Sequence, residues 1–478
     1  MKELFSKINK NKEMLLFTIA TVVSAMGHFI FSIVSKIYIV PNDYGVYSTC
    51  LLLTTYLGYL QLGVMNSYNR DYPQLIGANE DEKAKKLSNV SFSFISAVYL
   101  LASVALTILF AILDISGMIE KRYTVGFALC AINSLLIAVE NFGSAKTRIT
   151  KGFNIVSYVI MLQLISVVIG IVLTIKIGYY ALYLTTMCSY LIGILLYYKP
   201  AFRDIQLDLD KQLLVQQIKF GLPLLISGLI WTIVNSIDKF VILTFVPGSA
   251  TALGLYSIAQ MGFSYMILIP TALSQVFYVK MGKIYGDTKD VQVLNRVALN
   301  YTRVVSIITC IVAFIALFLL SDFVNLIIPN YNGGVKSAQI LIVGLSFYAP
   351  TMVNGNILTI LKENAAILRS SIYLCLLNII FSISLVLLFG AKIEYVALGT
   401  AISYVIRSLI VVVQIRIYAK ADAWLLILNS IIPVLITIIP SLVVYYLIQN
   451  KIIGLAMVLV LLGVIGGLYL VNRRKRVE

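Results

Sequence analysis

The sequence has little charge: only 12% of its 478 residues are Asp, Glu, Lys or Arg, against about 25% in soluble proteins. Apolar runs are nowhere separated by more than about 20 residues of ordinary soluble composition, which excludes a separate aqueous domain. It has one histidine and five cysteines. Cys50, Cys130, Cys188, Cys310 and Cys375 all fall inside apolar runs without metal-type spacing, so buried, inert thiols are expected rather than a zinc or redox centre. The sequence also lacks a Gly-rich loop ending in Lys-Ser/Thr, a metal-ligand cluster and a nucleophile–histidine pattern. Without such convergent groups an enzyme has no visible machinery. We therefore expect neither an enzyme nor a metal site.

What is abundant is apolar. Hydrophobic residues make up 60% of the chain and the mean hydropathy is +0.94, so lipid must serve as its solvent. A spanning helix needs roughly 20 apolar residues. Fourteen runs qualify, at 15–39, 45–66, 88–112, 123–139, 155–175, 178–198, 218–243, 252–278, 297–321, 337–361, 367–389, 394–416, 424–447 and 451–471. The first is longer than a signal-peptide core and lacks a cleavage site, so it reads as a span.

The net charge of +16 would suit nucleic acid if it formed a basic soluble patch, and it does not. Of the 37 Lys and Arg, 28 fall in segments on the side of the N-terminus and 6 in the opposite loops. That bias alternates loop by loop and places both termini in the cytoplasm of a multi-pass inner-membrane protein. The other three, Lys36, Lys239 and Arg407, lie within spans.

Two stretches match each other. Ser35-Lys36 is followed by Val40-Pro41 and Gly45-Val46-Tyr47-Ser48, and Asp238-Lys239 by Val246-Pro247 and Gly254-Leu255-Tyr256-Ser257. They sit at spans one–two and seven–eight in the same orientation, which implies parallel repeats about an axis along the membrane normal. The expected architecture is all-α: about fourteen transmembrane helices, as two pseudo-symmetric six-helix bundles plus two C-terminal helices. The boundaries are an amphipathic cytoplasmic segment 1–14, lobes 15–198 and 218–416 joined by a linker 199–217, helices within 417–471, and a basic tail 472–478.

At these residues the chain resembles the multidrug/oligosaccharidyl-lipid/polysaccharide (MOP) exporter superfamily, in the polysaccharide branch that includes the Wzx-type flippases. Lys219-Phe220-Gly221-Leu222-Pro223-Leu224-Leu225 resembles that family's opening of span seven, and Asn235-Ser236-Ile237-Asp238-Lys239-Phe240-Val241-Ile242-Leu243 its Asp-Arg/Lys signature. The branch often has Arg where this chain has Lys239, which keeps the charge but loses the bidentate fork. The resemblance implies alternating access for an undecaprenyl-diphosphate-type lipid-linked oligosaccharide, moved from inner to outer leaflet for O-antigen, capsule or exopolysaccharide. It also implies work alongside membrane lipids, a polysaccharide polymerase and chain-length machinery. The alternatives are a peptidoglycan-precursor flippase, a cation-coupled drug exporter and a membrane polysaccharide polymerase.

Intramembrane charge is expensive and marks function by default. Lys36, Lys239 and Arg407 are the candidate cations for a diphosphate, although lysines near a span end also snorkel. Asp238 and the lone His28 are the candidates for coupling to a proton or sodium gradient; Glu140 and Asp114 are weaker ones. Asn66, Asn133, Asn235, Gln260, Gln275, Asn354 and Asn378 could line a cavity or hydrogen-bond between helices. No cofactor is expected.

Overall fold

The computed structural model describes residues 2–447; the proposed span at 451–471 and the basic tail at 472–478 lie outside the described residues. Among the described residues there is no strand, as lipid demands of a chain whose backbone must satisfy itself within each segment.

The helices are α1 (Lys2–Tyr38), α2 (Pro41–Leu57), α3 (Val64–Gly77), α4 (Asp81–Ile115), α5 (Lys121–Lys151), α6 (Phe153–Ile177) and α7 (Tyr180–Tyr197). After a π turn at Tyr198–Phe202 come α8 (Lys211–Phe245), α9 (Ser249–Met266), α10 (Leu268–Thr288) and α11 (Val291–Ile327). A 3-10 turn at Pro329–Gly334 leads to α12 (Val335–Ile360), α13 (Asn364–Phe389), α14 (Ile393–Ala419), α15 (Ala423–Ser430) and α16 (Ile432–Leu447). Eleven of the described segments are long and apolar enough to cross a membrane, and the broken pairs α2–α3 and α15–α16 occupy the runs read at 45–66 and 424–447. Residues 2–14 continue into the first span as one helix.

Three spans are interrupted, each for a local reason. Between α2 and α3 the consecutive residues Leu62 and Gly63 take left-handed φ values of 52° and 85°, which ends a right-handed helix. The junctions α9–α10 and α15–α16 fall just before Pro270 and Pro433, whose rings remove the N–H that would continue the ladder.

Contacts divide the chain into two units, Met1–Thr232 and the remainder from Ile233. In the first, α4 packs on α5, α5 and α6 on α7, α2 on α5 and α3 on α4. In the second the same pairings recur seven helices later: α11 on α12, α12 and α13 on α14, α9 on α12 and α10 on α11. Each unit is inverted relative to a soluble protein. Leu15, Ile19, Val22, Met26 and Ile30 of α1 face outward at helical spacing, toward lipid. Ser88, Ser91, Ser166, Ser306, Ser346 and Ser403 are buried, where small side chains let helices approach closely.

In the first unit, the break in span two is fastened to α8. The Gly63 carbonyl lies so close to Gly221 that a Cβ there would come within 1.9 Å of it. Asn66 donates to the Gly221 carbonyl at 3.4 Å, Arg70 sits 3.1 Å over the Phe220 ring, and Tyr59 and Thr232 share a hydroxyl hydrogen bond.

The segment leading into α8 is also tied down. The amides of Gln206 and Asp208 donate to Asn89 Oδ1 and Ser93 Oγ of α4, at 3.1 and 2.9 Å. Asp210 caps α8 through the amides of Gln212 and Leu213 and meets Lys86 Nζ at 2.5 Å. Lys86 holds the Asp210 carboxyl below its usual range, and the cap adds to this. A carboxylate depressed on folding stabilises above its unfolded value, about 3.9, and loses that contribution as pH falls through the folded value. We expect limited proteolysis of 203–210 to be slow at neutral pH and faster below about pH 4. Lys86→Gln should raise cleavage at neutral pH and flatten that dependence; cleavage equal to that of the parent chain would remove the tether.

Candidate functional site

The most organised polar site is in the second unit, where α8, α9, α13 and α14 converge. Asp238 of α8 is 8% exposed. Its Oδ1 accepts from Thr400 Oγ1 at 2.6 Å and from Asn378 Nδ2 at 3.5 Å. Its Oδ2 accepts from the Tyr256 hydroxyl. Although Lys239 is next in sequence, no ion pair joins Asp238 to a cation among the described residues; its carboxylate faces neighbouring helices.

Around this carboxylate, oxygen atoms outnumber the hydrogens available to them. The single Thr400 hydroxyl hydrogen has Asp238 Oδ1, Asn378 Oδ1 at 3.1 Å and the Val396 carbonyl at 3.2 Å in reach. The single Ser382 hydrogen has Asn378 Oδ1 at 2.8 Å and the Val396 carbonyl at 3.4 Å. A hydroxyl donates one hydrogen only, so several lone pairs converge without a proton between them. An extra proton or a hard cation fits such an oxygen set. The three residues on α13 and α14 are buried, Asn378 and Ser382 completely.

Gly399 sets the spacing. A Cβ on it would lie 2.5 Å from the Ser382 backbone nitrogen and 2.6 Å from its Cα, so only glycine lets α14 approach α13 this closely.

Two turns further along α14, Arg407 occupies a second polar position. Its Nη1 donates to Thr351 Oγ1 at 2.8 Å, and its guanidinium carbon lies 4.7 Å from the Tyr348 ring centroid. Its Nε is buried and makes no hydrogen bond. Between the two positions stand Tyr348 and Tyr404, with ring centroids 4.8 Å apart. Thr400, Tyr404 and Arg407 thus form one stripe of α14 at i, i+4 and i+7. Asn354 extends the polar interior, accepting from Thr302 at 2.8 Å.

The first unit carries different chemistry. Lys36 is 1% exposed; its Nζ donates to Ser32 Oγ at 3.2 Å and sits 4.0 Å over the Tyr44 ring. Ser32 and Tyr44 line a cavity of about 300 Å³ together with His28, Tyr47, Ser189 and Tyr190. His28 Nδ1 lies 2.8 Å from the Ser24 carbonyl, to which it donates. In the repeat, Ser35 stands where the second unit has Asp238, and its hydroxyl turns back to the Phe31 carbonyl at 2.6 Å. The carboxylate site therefore belongs to one unit only.

The remaining candidates are scattered. Asn66 joins α3 to Gly221, Asn133 donates to the Tyr183 carbonyl, Glu140 accepts from Gln163, Asn235 and Gln275 are exposed, and Gln260 is half-buried. The sequence reading missed Tyr256, Ser382 and Thr400 as site residues. Tyr256 was visible as the repeat tyrosine, and Thr400 as the residue one turn after Val396 and seven before Arg407.

Gly399→Ala should destabilise the protein by about 1–3 kcal/mol, as overpacking does. Gly262→Ala, whose Cβ would meet nothing within 4 Å, serves as control. Thermal unfolding of both variants checks this; an unperturbed Gly399→Ala protein would mean that α13 and α14 need no such contact.

A model of a family described as polysaccharide biosynthesis protein matches residues 33–331. No curated protein matches the chain. Among solved structures, an inward closed form of the lipid II flippase MurJ aligns with TM-score 0.71 and 17% identity over 97% of this chain and 100% of its own. An inward-facing MATE multidrug resistance transporter of the MOP superfamily gives 0.66 and 15% over 84% and 98%. A MOP superfamily transporter from Pyrococcus furiosus gives 0.59 and 16% over 86% and 96%. At these identities the likeness is one of fold, and with the family match it settles the class: the chain belongs to the polysaccharide biosynthesis protein family, built on the membrane-transporter fold of the MOP superfamily.

Proposed function

We propose that this protein is a flippase that carries polyprenyl-diphosphate-linked oligosaccharide units from the inner to the outer leaflet for surface polysaccharide synthesis. The family match carries this reading; the charged interior supplies its chemistry. A diphosphate entering hydrocarbon must exchange its hydration for fixed cations and donors, because charge at the bilayer centre costs at least about 2.5–3.5 kcal/mol. Arg407 suits that exchange. Its Nε has no partner, Tyr348 supports the guanidinium from one face, and the planar fork matches phosphate oxygens. Lys36 and Lys239 are the further substrate cations in this reading, and buried amides such as Asn354 would face sugar hydroxyls.

The Asp238–Asn378–Thr400 cluster is the coupling site. Its oxygens suit a proton or sodium ion, and filling it would tie α8 and α9 to α13 and α14. Emptying it would leave a carboxylate that those helices must separate to hydrate. In the first unit His28, exposed on the wall of its own cavity, is the second candidate for proton coupling.

A peptidoglycan-precursor flippase is the second reading, favoured by the alignment with the lipid II flippase over 97% of this chain. The two readings differ in the lipid that accumulates when the protein is depleted. Complete oligosaccharide repeat units confined to the inner leaflet, cleared by re-expression, are expected. Accumulated peptidoglycan precursor would select the second reading, and no change in either lipid would sink both. Arg407→Gln should insert normally yet transport roughly 10-fold or more slowly, the loss of one charge-assisted contact of about 1.5–3 kcal/mol. Full rescue of depleted cells by that variant would remove Arg407 from the substrate path.

A further inference from the structure

A groove of about 350 Å³ runs between α13 and α14 in the second unit. Its wall on α14 is formed by Ile406, Leu409, Ile410, Val413 and Ile417, spaced to give one continuous apolar stripe. On α13 it is bounded by Tyr373 and closed at one end by Arg369, which donates to the Tyr418 hydroxyl. The other polar residue of the lining, Gln414, already gives its amide hydrogen to the Ala366 carbonyl at 2.9 Å.

The polar end is the cytoplasmic end, since Arg369 follows the basic inner loop at Lys362 and Tyr418 precedes Lys420. From Tyr418 to Ile406 is twelve residues, about 18 Å along a helix at 1.5 Å per residue. One leaflet of a hydrocarbon core about 30 Å thick is about 15 Å deep. The groove therefore has the length of one leaflet, with apolar walls along it and a cation where headgroups lie.

Arg369 forms no ion pair with a carboxylate among the described residues, and one N–H of its five goes to Tyr418. The Tyr418 hydroxyl, accepting that bond, keeps its own hydrogen to donate. The guanidinium edge and the phenol together offer a phosphate diester a planar fork and a third donor.

We propose that this groove binds an anionic glycerophospholipid of the inner leaflet, its phosphate on Arg369 and Tyr418 and one acyl chain along α14. The site is independent of the transported substrate.

The test is native mass spectrometry of the full-length protein in mild detergent, titrated with phosphatidylglycerol or with phosphatidylcholine of the same chains. The wild-type protein should retain phosphatidylglycerol at least fivefold better than Arg369→Gln or Leu409→Trp, the second of which fills the groove without touching the cation. Lys420→Gln, at the same helix end outside the groove, should match wild type. Equal retention by Arg369→Gln overturns the proposal, as does retention of undecaprenyl phosphate in place of phosphatidylglycerol. A photo-crosslinker replacing Leu409 should label phospholipid; labelling of a peptide from residues 448–478 would mean that the chain itself covers the groove, and would likewise overturn it.

Discussion

A carboxylate in the membrane interior must be held by something, and in the second unit Asp238 is held by neutral donors from three other helices. The arrangement of α8, α9, α13 and α14 depends on that fact. A buried ion pair with Lys239 would satisfy the charge permanently and favour one state. Hydroxyls and an amide satisfy it conditionally, because the Thr400 hydrogen also has Asn378 Oδ1 and the Val396 carbonyl in reach. A carboxylate held this way suits a proton or cation, since occupancy would change how many acceptors the Thr400 hydroxyl must serve. Gly399 is the structural complement: it brings α14 against Ser382, without which the oxygens would not share one space.

Most of the fold was legible in the sequence because lipid imposes two simple rules. Apolar length gives the spans, and the asymmetric placement of lysine and arginine gives the direction expected for them. Thirteen of the fourteen predicted spans fall in the described residues, and each coincides with a helix or an interrupted helix. The interruption at Leu62–Gly63 was not legible. Hydropathy averages over a break, and the left-handed pair is stabilised by a tertiary contact with Gly221 that no local pattern reports. The proline-linked junctions at Ile267 and Ile431 were in principle visible, since Pro270 and Pro433 stand just beyond them.

The site was legible in part. Asp238 and Arg407 stood out because charge inside a span is costly, and Lys36 because it repeats the position of Lys239. What surrounds them did not stand out. Tyr256, Ser382 and Thr400 are ordinary constituents of membrane helices, where serine and threonine mostly bond to their own backbone, as Ser306 and Ser403 do here. Only convergence of three helices on one carboxylate separates them from that background. The repeat is informative in a second way: it pairs Asp238 with Ser35, whose hydroxyl bonds its own helix, so the Asp238 cluster has no counterpart at that position of the first unit.

In the proposed flippase this oxygen cluster is where the coupling ion acts. The direct measurement is thermal unfolding of the purified protein against sodium concentration at constant ionic strength, and against pH, for wild type and Asp238→Asn. A ligand at 100 times its dissociation constant adds about 2.7 kcal/mol to stability. A sodium- or proton-dependent rise in Tm is expected for wild type and none for Asp238→Asn. The same dependence in both proteins, or none in wild type, would contradict it.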